Sequence, residues 1–262
     1  MSKKIKQGAF QISKTVQIIL AILGFTLLSL GLYAMNIPKR GESLACYLSV
    51  HLRKITQKFW TGYKPVCKPK LICLALGSGE NCMEDAEIEP IKKEGDVLSI
   101  FAVQLFKAWD LFGKGEIRFA GIKGEWSRRY CLVYAILHFD SKAKKELSSK
   151  DLNLKEYLNT EPIPAYLTLT GPSNLTYAEY FATYTKETKE QVKGEEDIEY
   201  WLEMLVLPDQ IDPNKVYYLI YLTEEKGFIS GGPGVGTPQW LALVSAQEIK
   251  EKLKCQEIVQ RY

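Results

Sequence analysis

The longest interruption of mixed apolar and polar positions is Thr15 to Ala34, TVQIILAILGFTLLSLGLYA, twenty residues without a charge. At about 1.5 Å rise per residue such a helix covers roughly 30 Å, the thickness of a bilayer's hydrocarbon layer, where only a helix satisfies its own backbone polar groups. The pattern predicts a transmembrane helix retained as a signal anchor. A cleaved leader needs a shorter apolar core and small residues at the cut, whereas Leu32-Tyr33-Ala34 puts a large residue there. A buried core helix rarely needs so long an uncharged run. Ser43-Leu44-Ala45-Cys46 has the look of a lipoprotein cleavage box, but it follows the charged Lys39, Arg40 and Glu42.

Beyond the span, Ile37-Pro38-Lys39-Arg40-Gly41 ends the helix. Residues 35–60 then read as a juxtamembrane basic amphipathic helix. Leu44, Leu48, Leu52, Ile55 and Phe59 recur at three- and four-residue spacing, with Arg53, Lys54 and Lys58 off that stripe. Trp60 and Tyr63 suit the interfacial level of a membrane. This helix is expected either to lie on the membrane or to pack on the domain that follows.

Residues 61–262 carry the patterning of a folded domain. Leu71 to Leu76 is a strand candidate bounded by Pro65 and Pro69 before it and Gly77-Ser78-Gly79 after it. Asp96 to Phe112 is the strongest soluble helix, with Val97, Phe101, Leu105 and Phe112 in one stripe. Tyr130 to Phe139, YCLVYAILHF, is nearly uninterrupted apolar sequence of strand length, expected as a central strand buried on both faces. Ser141 to Leu158 reads as partly helical, with Asp151 as the cap before Leu154. Glu161-Pro162-Ile163-Pro164 forces extended backbone. Thr176 to Lys186 fits a short helix or a strand. Ile198 to Leu207 and Val216 to Leu222 read as strands joined by the turn Pro208 to Pro213, followed by a strand from Trp240 to Val244 and a last element from Glu248 to Leu253. The fold class expected is α+β: a single N-terminal transmembrane helix, then a mixed α+β extracytoplasmic domain with a largely antiparallel sheet.

Charge separates the chain into two parts. Residues 1–70 hold twelve Lys and Arg against one acid, Glu42, a net +11; the remainder holds 22 bases against 30 acids, a net −8, giving +3 overall. A basic collar beside a membrane is drawn to anionic headgroups over a Debye length of about 8 Å; the bland alternative is a solvated helix face. Lys3, Lys4, Lys6 and Lys14 favour a cytoplasmic tip over residues 1–14, while Lys39, Arg40, Arg53 and Lys54 pull the other way. Two features decide the orientation. The six cysteines, Cys46, Cys67, Cys73, Cys82, Cys131 and Cys255, are even in number and are expected to form disulfides, of open connectivity. Asn174-Leu175-Thr176 is a glycosylation sequon in a turn-rich stretch, with Asn174 the acceptor. Both place the large domain outside the cell membrane.

Lys6-Gln7-Gly8-Ala9-Phe10 followed by an apolar helix is similar to the leader of archaeal type IV pilin-like membrane-anchored surface proteins. The resemblance covers about the first 34 residues and implies cleavage after Gly8 and assembly into a filament. Six residues, Lys14 among them, separate Gly8 from Thr15, where the pilin pattern begins its apolar run almost at once.

Five arrangements bear on chemistry. Gly231-Gly232-Pro233-Gly234-Val235-Gly236-Thr237 has phosphate-loop glycine spacing but Thr237 where the loop's lysine belongs, and reads as a hairpin loop. Ser141-Lys142-Ala143-Lys144 matches the S-x-x-K of serine acyl-transferases without the K-T-G that accompanies it. His51 and His138 are the only histidines, and His138, inside an apolar strand, reads as a core or strand-end residue before it reads as a base. Adjacent acids such as Glu195, Glu196 and Asp197 read as a solvated run. The Cys67, Cys73 and Cys82 spacing departs from the two- to four-residue gaps of zinc knuckles. The sequence therefore names no catalytic residue, no cofactor-binding residue and no metal ligand. It predicts a cell-surface protein with a structural or protein-interaction role. Its partners are membrane lipid through residues 15–34 and a protein or a second copy of the chain, with no nucleic acid. The alternatives are an exported hydrolase with an unidentified nucleophile and a subunit of a pilus-like envelope assembly.

Overall fold

The computed structural model describes residues 23–24, 45–52, 67–79, 81–112, 129–168, 174–183, 205–224, 239–255 and 257–259. Thr15 to Ala34 lies outside the described residues apart from Leu23 and Gly24, both helical. Among the described residues no helix is long and apolar enough to cross a membrane.

The described elements are strands β1 (Lys70–Ala75) and β2 (Glu87–Pro90), helix α1 (Glu94–Leu111), strand β3 (Arg129–Phe139), helices α2 (Ser141–Leu147) and α3 (Leu154–Thr160), a 3-10 turn (Ala165–Leu167), helix α4 (Tyr177–Thr183), strands β4 (Tyr217–Glu224) and β5 (Gln239–Ser245), the short helix α5 (Ala246–Glu248) continuing into a π-helical turn (Ile249–Leu253), and strand β6 (Glu257–Val259). The fold is α+β around one mixed sheet in the order β2-β1-β3-β4-β5. Its two longest ladders, β3 with β4 and β4 with β5, are antiparallel, while β1 runs parallel to both β2 and β3. The edge of β3 that faces β1 is shared: Ala135–Phe139 pairs with β1, and Tyr130–Leu132 pairs in parallel with β6.

Strands β1, β3, β4 and β5 are apolar on both faces, and period-two alternation sorts their side chains into two cores. On one face Ile72, Leu74, Leu132, Leu137, Phe139, Tyr217, Leu219, Tyr221, Leu241 and Leu243 pack with α1, α3 and α4. On the other, Cys131, Val133, Ile220, Leu222, Ala242 and Val244 pack with Leu253 of the π-helical turn. A register shift between Val133 and Ala135 places Tyr134 and Ala135 together in the first core. Helix α1 fills that core: Phe101 meets the Tyr217 ring edge-on at 5.7 Å, and Phe112, just past its end, lies 4.6 Å from Tyr221.

The helical residues 45–52 bury Cys46, Ser49 and Val50, with Cys46 and Val50 in the first core, while Tyr47, Leu48 and Leu52 are exposed. Cys46 is bridged to Cys67. The compact unit thus runs Cys46–Tyr262. These helical residues pack on the domain through Cys46 and Val50, and Leu48 and Leu52 of the expected stripe point away from it.

Candidate functional site

Chemistry-bearing side chains converge at the carboxyl ends of the parallel strands β1 and β3, on the sheet face opposite α1. Cys73 and His138 are direct register partners in the β1–β3 ladder. Their chain neighbours Ile72, Leu74, Leu137 and Phe139 all enter the helix-covered core, so alternation sends Cys73 and His138 to the other face. Cys73 is bridged to Cys82, which sits in the loop between β1 and β2. The two sulfurs and a ring nitrogen of His138 lie within 4.8 Å of one another.

The loop is shaped to bring Cys82 back over the strands. Gly77 and Gly79 take φ of 108° and 76°, and Asn81 and Asp85 take 68° and 65°, left-handed backbone that glycine and short polar residues tolerate best. A Cβ on Gly79 would stand 2.9 Å from Ile88 Cδ1 and 3.3 Å from Cys82 Sγ. The Cys82 N–H donates to the Gly79 carbonyl at 3.2 Å, closing the turn. Two further bonds fasten the loop to the end of β3 and the start of α2: Met83 N–H donates to His138 Nε2 at 3.1 Å, and Asn81 Nδ2 donates to Ser141 Oγ at 2.8 Å.

His138 is 4% exposed. Because Nε2 accepts from Met83, a neutral ring carries its proton on Nδ1, which makes no hydrogen bond of normal geometry. Burial and the Lys144 ammonium lower its pKa, opposed by the nearby Ile72 backbone. The imidazole is therefore neutral at physiological pH. Asp140 is buried, and its Oδ1 accepts from Ala143 N–H at 2.7 Å, the N-cap of α2; its own N–H donates to the Leu74 carbonyl at 3.0 Å. Ser141 is exposed at the first position of α2, with Lys144 one turn on.

The remaining site residues fall elsewhere. Cys46–Cys67, Cys73–Cys82 and Cys131–Cys255 use all six cysteines. Asn174 is exposed, two residues before the bridge that pairs Thr176 with Pro162. His51 stands edge-on to Tyr47 at 4.0 Å. The glycine run Gly231 to Thr237 and the acids Glu195 to Asp197 lie outside the described residues. Sequence spacing concealed that His138 stands beside Cys73, because 65 positions separate them and only strand register joins them.

No family model, no curated protein and no solved structure matches the chain.

Proposed function

We propose that the chain is a membrane-tethered, extracytoplasmic protein whose disulfide-stapled domain serves a structural or protein-interaction role at the cell surface. The observation that carries this reading is the pairing of all six cysteines into three bridges, which belongs to an oxidising compartment. The exposed sequon residue Asn174 agrees with export. The uncharged run Thr15 to Ala34 supplies the tether, and the +11 balance of residues 1–70 suits an anionic membrane surface. His138 and Asp140 contribute to the domain's architecture: one receives the β1–β2 loop and the other caps α2.

The test combines topology with thiol state. The native chain stays in carbonate-washed membranes, impermeant proteases reach its large domain from outside, and its intact mass under non-reducing conditions is six hydrogens below that of the fully reduced chain. Release of the native protein without detergent, or six free thiols in freshly isolated material, overturns the reading.

A further inference from the structure

We propose that Cys73, Cys82 and His138 form a redox-gated site for a thiophilic divalent cation of the zinc type, closed while the two sulfurs are bonded and opened by a thiol reductant. The three ligand atoms already lie within 4.8 Å of one another. The donor set is two thiolates and one imidazole, which suits zinc-like ions and leaves a fourth position for water or an exogenous ligand. Two of the ligands stand on rigid neighbours, since Cys73 and His138 are paired strand residues. The third, Cys82, is the half-buried member of the pair and sits on the loop. In a tetrahedral complex with metal–sulfur bonds near 2.3 Å two thiolates stand about 3.8 Å apart, so metal uptake needs the Cys73–Cys82 bond broken and Cys82 moved on its loop. His138 is buried, its Nε2 lone pair is held by Met83 N–H, and the Ile72 backbone is its other polar neighbour. Met83 follows Cys82 on the same loop, so the movement that opens the bridge also draws Met83 N–H off Nε2 and leaves that lone pair to the cation.

The conversion balances. A thiolate attacks Cys82 Sγ, the more accessible sulfur, and Cys73 Sγ leaves as thiolate. A second thiol resolves the mixed disulfide, so two thiols are oxidised to one disulfide while the protein bond gains two electrons. One cation then binds two protein thiolates and neutral His138, and the two thiol protons of the reductant are released to solvent. Oxidation reverses the step and expels the ion.

The experiment uses the full chain in detergent, with Co²⁺ as the spectroscopic probe and Zn²⁺ as competitor. Phosphine-reduced protein, with Cys73 and Cys82 confirmed as thiols by mass mapping, takes up one Co²⁺ and shows thiolate-to-cobalt absorption; the oxidised protein does not. Cys73→Ser with Cys82→Ser abolishes the absorption, and Cys131→Ser with Cys255→Ser retains it. His138→Gln weakens binding at least tenfold, the lower end of what even outer ligand-orienting changes cause. Should that variant misfold, wild-type protein carries the decision: Zn²⁺ protects Cys73 and Cys82 from alkylation after reduction. Binding by the oxidised chain, binding that survives loss of both cysteines, absence of Zn²⁺ protection, or unfolding on reduction without metal uptake each overturns the proposal.

Discussion

Cys131 and Cys255 are bridged across 124 residues, tying the central strand β3 to a point two residues before β6. The ladder beside the bridge is short, with Tyr130, Cys131 and Leu132 opposite Glu257, Ile258 and Val259. Three residue pairs offset little of the entropy of ordering so short a strand, so the bridge is what keeps β6 in place. Replacing both cysteines by Ala is expected to lower stability by about 2–5 kcal/mol. Denaturant melts measure the loss, and amides of β6 should exchange faster before those of β4 do. Equal protection in β6 with and without the bridge would refute this account.

Asp140 joins two elements of the candidate site, since its backbone N–H donates to Leu74 of β1 and its carboxylate caps α2. Asp140→Ala removes the cap and should cost about 0.5–2 kcal/mol. Asp140→Asn keeps an oxygen acceptor and should cost less. The denaturation midpoint should fall at unchanged slope if the effect is confined to the native state. A change confined to the slope would assign the residue a different role.

Phe101 is the keystone ring of α1, stacked 6.2 Å from Phe139 of β3 and edge-on to Tyr217 of β4. Phe101→Ala should cost about 3–5 kcal/mol, because rigid strands on the far side leave the cavity little freedom to collapse. A loss under about 1.5 kcal/mol, the size expected of a volume-conserving swap, would mean that the helix repacks.

These anchors mark where the sequence was legible. The stripe Val97, Phe101, Leu105 and Phe112 identified α1, and the uninterrupted run Tyr130 to Phe139 identified the central strand, because each buried period leaves its own signature. β1, β4 and β5 fall within a residue or two of the expected ranges. Thr176 to Lys186 stayed open between helix and strand because its aromatics suit both. The deciding signal was the T-x-x-E box, in which Thr176 N–H donates to Glu179 and Glu179 N–H donates to Thr176 Oγ1. The cap of α3 is Asn153, whose Oδ1 accepts from Glu156 N–H, whereas Asp151 accepts from Gln210. A cap must directly precede the first helical residue, and Leu154 is that residue. The Cys73–His138 juxtaposition depends on strand register, which no local pattern encodes.

Glu248 gives the fold an acid-sensitive clasp. Partial burial alone would raise its pKa, but the Lys252 ammonium and the N–H and hydroxyl of Ser245 outweigh that and hold the carboxyl at about 2. The folded-state pKa lies below the unfolded one, so the clasp's stabilisation is complete above the unfolded value near 4.5 and disappears as pH falls toward about 2. Glu248→Gln should be less stable at neutral pH and should lose part of the wild-type acid dependence in that window. Parallel stability curves for the two proteins from neutral pH to pH 2 would dismiss the clasp.

The exposed face of helical residues 45–52 tests the membrane reading directly. Tyr47, Leu48 and Leu52 are about half exposed, while Cys46 and Val50 hold the other side to the domain. The sequence flanks this face with Lys39, Arg40, Arg53, Lys54 and Lys58, close to the proposed span. An anionic bilayer matches both features: a leucine withdrawn fully from water contributes about 1.5–3 kcal/mol, and each base near the headgroups about 1 kcal/mol. In the full chain reconstituted into bilayers, hydroxyl-radical labelling of Tyr47 and Leu48 should be slower in anionic than in zwitterionic lipid, and high salt should narrow the difference. Leu48→Glu with Leu52→Glu should restore rapid labelling of Tyr47 without lowering the domain's melting temperature, since neither leucine is buried in the fold. Identical labelling in the two lipids would show that the face meets no membrane.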